Sequence, residues 1–271
     1  MSYGVAMPGK RGGALAAVLA ACCWLAGWPT AQADPDALWA IVHGQCVPNL
    51  YEHHDPAPCA QADLSRGEDR GWVVFKDSEG YRQYLLMPTA HIPGIESPEL
   101  LAPGATNYFG VAWQARAFVE QRAGGTVPRD WMSLAVNSSV ARSQNQLHIH
   151  IDCLRADVRD TLDSNAGDIG ATWAPFPIPL AGHTYWAVAV PGAELDVNPF
   201  TLLADGLGGA RADMGGYTLV VVGADDVGGG PGFVILADRA DGETGDFAGG
   251  EQLQDHESCP PPLPATTSTA K

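Results

Sequence analysis

The residues best placed for chemistry are those of Gln146-Leu147-His148-Ile149-His150-Ile151-Asp152, where polar and apolar types alternate without a break. A strand over Gln146–Leu154 turns Gln146, His148, His150 and Asp152 to one face and buries Leu147, Ile149 and Ile151 behind them. Same-face neighbours on a strand lie roughly 6 to 7 Å apart, so two imidazoles reach a single phosphate and its leaving group. Neutral imidazole is a good nucleophile near pH 7, and water can cleave its phosphoryl adduct in a second step. Such a ring needs its other nitrogen held as a donor, and the phosphate oxygens need donors of their own. The polar run Asn137, Ser138, Ser139, Arg142, Ser143 and Gln144, just before the strand, offers both. A solvent-facing edge strand or a metal pair are the competing readings of His-x-His. Neither a third histidine nor paired carboxylates stand nearby in sequence to favour metal, so no metal ligand and no cofactor is assigned.

The elements around this segment are legible from periodicity and punctuation. Asp34-Pro35-Asp36 starts a short helix from Ala37 to His43 that Gly44 ends, followed by a loop to Cys59. Trp72–Phe75 and Tyr81–Leu86 read as a β-hairpin, closed by Met87-Pro88. Val111 to Arg122 has helical spacing and stops at Gly124-Gly125. Trp131–Val136 reads as a strand and Ala156–Leu162 as a charged helix; further strands are expected at Tyr185–Val190, Tyr217–Val222 and Phe233–Ala237. With 32 glycines, 21 prolines and 46% hydrophobic residues, these elements make an α+β fold: an antiparallel sheet with packed helices in one domain from about Asp34 to Cys259. The tail from Pro260 to Lys271 reads as disordered.

Lys10-Arg11, the uncharged 17-residue run Gly12–Trp28 and Ala31-Gln32-Ala33 have the layout of an export signal. Cleavage after Ala33 and retention as a membrane anchor both fit, and Leu19-Ala20-Ala21-Cys22 resembles a lipoprotein processing site. An exported chain can form disulfides from Cys46, Cys59, Cys153 and Cys259, whose pairing stays open among three patterns. Without Lys10 and Arg11 the chain has 13 basic and 31 acidic residues, a balance of −18 that argues against nucleic-acid partners. Membrane contact then falls to the N-terminal segment or to an apolar mouth.

The run from Leu134 to Cys153, LAVNSSVARSQNQLHIHIDC, resembles the signature of bacterial CDP-diacylglycerol pyrophosphatases, within the wider histidine-triad superfamily. Weaker pieces agree: Ala37–Val42 leading to Cys46, Tyr84–Thr89, Trp113–Arg116, and Asp255-His256 before Cys259. The resemblance implies hydrolysis of CDP-diacylglycerol to CMP and phosphatidate through a nucleotidyl-histidine intermediate, at the outer face of a bacterial inner membrane or in the periplasm. It also implies a middle-position nucleophile, thirteen residues after an asparagine and six after a glutamine, spacings that Asn137 and Gln144 have from His150. That register makes His148 the first position and Asp152 the third. The competing register starts at Gln146 and makes His148 the nucleophile. In both, Asn137 orients the nucleophile, Arg142, Ser143 and Gln144 hold phosphate oxygens, and the leaving group lacks an assigned proton donor. A nucleotidyl transferase or soluble nucleotide pyrophosphatase would use the same residues, and a non-catalytic lipid- or nucleotide-binding protein would keep only the fold. Of the other histidines, His43 reads as a helix end, His53 and His54 as loop residues, His91 as a turn residue near the nucleotide, and His183 and His256 as supporting or surface groups.

Overall fold

Among the described residues ten strands form one sheet in which every pairing is antiparallel: β1 Gln61–Asp63, β2 Trp72–Lys76, β3 Tyr84–Pro88, β4 Met132–Val136, β5 Ile149–Leu154, β6 Ala174–Pro175, β7 Trp186–Pro191, β8 Tyr217–Ala224, β9 Gly232–Arg239 and β10 Gln254–Asp255. Their order is β1-β2-β3-β5-β4-β8-β9-β7-β6, with β10 also paired to β5. The α+β class and single domain expected from the pattern hold. The computed structural model describes residues 34–260 with Met1, Tyr3 and Gly4; the expected export signal, Cys22 and the tail beyond Pro260 lie outside the described residues. Among the described residues no helix is long and apolar enough to cross a membrane.

One face of the sheet carries the larger core. Ile149, Ile151 and Cys153 of β5 join Leu134 of β4 and Leu86 of β3 beneath helix α3, Tyr108–Ala123, which contributes Phe109, Ala112, Trp113 and Val119. This helix starts one turn earlier than the spacing predicts because Asn107 caps it, accepting from the Gly110 amide, and it ends where Gly124 turns left-handed at φ 84°. Helix α5, Pro199–Gly206, packs Phe200 and Leu203 into the same core; the sequence reading missed it, although Asn198-Pro199 is a cap followed by proline in the first turn.

Two separate clusters cover the other face. Leu154 of β5 and Val220 of β8 lie under Val158 and Leu162 of helix α4, Ala156–Ser164. At the far side, Val73, Leu85 and Met87 of β2 and β3 lie under Val42, Cys46 and Val47. These last residues correct the expected stop at Gly44. Helix α1, Ala37–Ile41, runs through a π-helical turn, Val42–Cys46, into helix α2, Val47–His53, and the chain leaves the helix only at His54, φ 57°. A mid-helix glycine costs about 1 kcal/mol, less than burying three apolar side chains returns. A Cys46–Cys59 disulfide closes this segment, and Cys153–Cys259 ties the chain end to β5.

Candidate active site

Between the two clusters of the second face, β5 presents His150 and Asp152, flanked by Leu85 of β3 and by Ala135 and Ser133 of β4. Strand β3 runs beside β5 only to the Tyr84–Ile151 pair, and β10 takes over at the Asp255–Cys153 pair. Asp152 therefore sits opposite a handover, where Gln83 arrives from one side and His256 from the other. The expected strand from Gln146 begins only at Ile149. Continued pairing would set Leu147 against Pro88, which has no N–H to donate. Gln146 instead spends its side-chain amide on the carbonyls of Pro88 and Ala90, and the Leu147 amide bonds to Ile92. His148 keeps its place beside His150 all the same, with ring centroids 4.9 Å apart and edge-to-face.

The two imidazoles differ in what their nitrogens meet. Nδ1 of His148 lies 2.6 Å from the Gln146 carbonyl, which only accepts, so Nδ1 carries the proton and Nε2 the lone pair. Among the described residues that Nε2 has no hydrogen-bond partner, yet it is not sealed from solvent. Nδ1 of His150 lies 2.5 Å from the Gln83 amide nitrogen and 3.1 Å from Glu251 Oε1. With the amide donating, Nδ1 accepts and Nε2 holds the proton; that Nε2 is buried and unpartnered. Burial holds both rings below the ordinary histidine value, His150 well below it, so both are neutral at pH 7.

Carboxylates and a third histidine complete the cluster. Glu251 and Asn137 bond reciprocally: Asn137 Nδ2 donates to Glu251 Oε2, and the Glu251 amide donates to Asn137 Oδ1, both at 3.1 Å. Nδ1 of His256 stands 2.9 Å from Asp152 Oδ2, and Asp152 Oδ1 accepts from the Cys153 amide. Asn137, Glu251 and His256 line a cavity of about 560 Å³, together with His183, Asp246 and Gln254. His150 lies directly behind Glu251.

These features can be set beside known proteins. A family model described as CDP-diacylglycerol pyrophosphatase matches residues 33–260. The chain belongs to the CDP-diacylglycerol pyrophosphatase family. A relative from Yersinia pestis, named CDP-diacylglycerol pyrophosphatase, is 42% identical over 224 residues, covering 82% of this chain and 84% of the relative.

In this pyrophosphatase-family chain the site residues expected from sequence fall into two groups. His148, His150, Asn137 and Asp152 come together around Glu251 and His256. The preceding loop is engaged elsewhere. Both terminal nitrogens of Arg142 are paired with Glu96, at 2.6 and 2.7 Å; Gln144 bonds to the Leu38 amide and the Asp34 carbonyl; Ser143 is exposed. Gln146 faces the Pro88 and Ala90 carbonyls, and Asp152, 1% exposed, is bonded to His256. Gln83 and Glu251 were not singled out from sequence, for Gln83 lies 67 positions before His150 and Glu251 still farther after it in the chain. His256 carried one signal, its place three residues before Cys259.

Also lining the cavity, His183 has its Nδ1 2.5 Å from Asp246 Oδ2 and 3.9 Å from Asp238 Oδ2. Burial, reinforced by the neighbouring Asp246 charge, pushes the Asp238 carboxyl up to about 7. A carboxyl raised in the fold contributes stability that is complete below its unfolded value near 3.8 and is lost as pH climbs through about 7. Asp238→Asn removes that loss. Thermal melts are expected to show the variant gaining roughly 1–3 kcal/mol over the parent at pH 8 and little at pH 5; a variant equally destabilised at both values would refute this.

Proposed function

We propose that the protein hydrolyses the pyrophosphate bond of CDP-diacylglycerol to CMP and phosphatidate, with His148 as the nucleophile on the cytidylyl phosphorus. Family membership supports the reaction. The hydrogen bond from His148 Nδ1 to the Gln146 carbonyl carries the choice of nucleophile, since it fixes the lone pair on an accessible Nε2. Spacing from Asn137 and Gln144 pointed to His150, but its nucleophilic nitrogen in this tautomer, Nδ1, is occupied by Gln83 and faces Glu251.

The steps follow from these assignments. His148 Nε2 bonds to the α-phosphorus while the bond to the phosphatidate oxygen breaks. His150 Nε2–H donates to a non-bridging oxygen as charge builds on it. Water then attacks the cytidylyl-histidine, and CMP leaves. A pyrophosphate arriving through the cavity meets the Glu251 carboxylate first, so binding requires that side chain to swing away from His150. Two disulfides suit an oxidising compartment, and with the leader-like N-terminus they support a periplasmic site of action at the inner membrane.

Hydrolysis of CDP-diacylglycerol in detergent, in water enriched in oxygen-18, tests the reaction with the full-length protein. CMP is expected to form with the label in CMP. Label in phosphatidate would reverse the point of attack, and an absence of CMP release would remove the hydrolase reading.

A further inference from the structure

The mechanism above leaves the departing phosphatidate oxygen without a proton donor. Neither member of the histidine pair can serve: His148 provides a lone pair, and His150 is neutral at pH 7 and seated behind Glu251. Among the described residues that line the cavity there is no lysine or arginine, and only two are histidines, His183 and His256. The ion-pair partners of His183 are Asp246 and Asp238, whereas His256 reaches Glu251, the residue in front of the histidine pair.

We propose that His256 is the acid that protonates the leaving phosphatidate oxygen, oriented by Asp152 and held in place by β10 and the Cys153–Cys259 disulfide. The inference rests on the hydrolase reading given above. Asp152 is 1% exposed and takes Nδ1–H of His256, which leaves Nε2–H directed toward the cavity side, 3.5 Å from Glu251 Oε1. Three restraints fix the ring's backbone. Asp255, one residue before, pairs with Cys153; Cys259, three residues after, is bonded to the same Cys153; and Gly80, in a left-handed turn at φ 63°, packs its backbone against His256 so closely that an added Cβ would lie 3.0 Å from the His256 Cβ. The charged groups facing the ring are Asp152 from β5, Glu251 from the turn Gly250–Leu253, Asp77 from the loop after β2 and the adjacent Asp255 of β10, with neutral His150 beyond them. The Asp152 hydrogen bond raises the His256 pKa above the ordinary value, as a donor at neutral pH requires.

In the first step the His256 Nε2 proton passes to the phosphatidate oxygen as the P–O bond breaks and the His148–phosphorus bond forms. In the second, neutral His256 takes a proton from water as its oxygen bonds to phosphorus and the His148–phosphorus bond breaks. The ring ends as it began, and one water is consumed.

A leaving-group series tests this, because an acid matters in proportion to the basicity of the group that departs. The full-length protein and its His256→Ala and His256→Gln variants are assayed on CMP phenyl ester, CDP-diacylglycerol and CMP 2,4-dinitrophenyl ester; glutamine keeps a donor toward Asp152 but supplies no acid. The expected loss in kcat/KM, which reports the first step alone, is about 10²–10³-fold on the phenyl ester, smaller on CDP-diacylglycerol, whose leaving phosphate has a second pKa of about 6, and within about threefold on the dinitrophenyl ester. The basic limb of the kcat–pH profile disappears with the histidine. Equal losses on all three substrates, or none, would overturn the assignment for whichever variant folds. If the unsubstituted protein releases no CMP from any of them, it is the hydrolase reading that fails instead.

Discussion

His148→Ala is expected to lower kcat on CDP-diacylglycerol at least ~10⁴-fold while leaving the fold intact, because it removes the atom that bonds to phosphorus. His150→Ala is expected to cost less, about 10²–10³-fold, the range for loss of one donor to a developing oxyanion. The asymmetry follows from the hydrogen bonds: a carbonyl fixes the His148 tautomer, whereas the Gln83 amide makes His150 a donor at Nε2. Brief reaction with substrate labelled in the α-phosphate, quenched in alkali, is expected to leave label on the unsubstituted protein and on His150→Ala but none on His148→Ala. Label retained by His148→Ala, with His150→Ala the less active of the two, would restore the register in which His150 attacks.

The histidine pair was legible because alternation survives even where strand pairing does not. Leu147, Ile149 and Ile151 are all buried, and both rings lie together, although regular β-structure starts only at Ile149. Proline at position 88 ended the ladder early, and periodicity along one segment does not report on its partner. Helix α3 was equally plain, since its apolar spacing and Gly124 are local signals. Gly44 misled for the opposite reason: as a stop signal it was outweighed by burial of Val42, Cys46 and Val47 against strands whose arrival no local pattern announces. Gln83, Glu251 and the His256–Asp152 pair depend on the handover from β3 to β10 along β5, a tertiary event, so their residue types alone could not reveal them. The loop of Arg142, Ser143 and Gln144 shows the reverse, with phosphate-binding types in the right neighbourhood and their side chains directed to Glu96, to the N-terminal helix and to solvent.

Removing the two disulfides is expected to have unequal consequences. Cys46–Cys59 spans 13 positions and Cys153–Cys259 spans 106. Loop-closure entropy grows with span, so paired alanine replacements are expected to cost about 3 kcal/mol for the first and about 4–5 kcal/mol for the second, read from chemical denaturation midpoints. Activity should divide more sharply than stability. The first bridge fastens the π-helical turn to the segment leading into β1, packed against β2 and β3, and its loss is expected to leave kcat unchanged in conditions where the variant remains folded. The second holds the segment on which His256 meets Asp152. Without it that segment keeps only the two-residue pairing of β10, and kcat/KM on CMP phenyl ester is expected to fall at least tenfold, with kcat/KM on the dinitrophenyl ester nearly unaffected. If both disulfide variants lost the same stability and kept full activity on every substrate, the Cys153–Cys259 bridge would have no part in placing the acid.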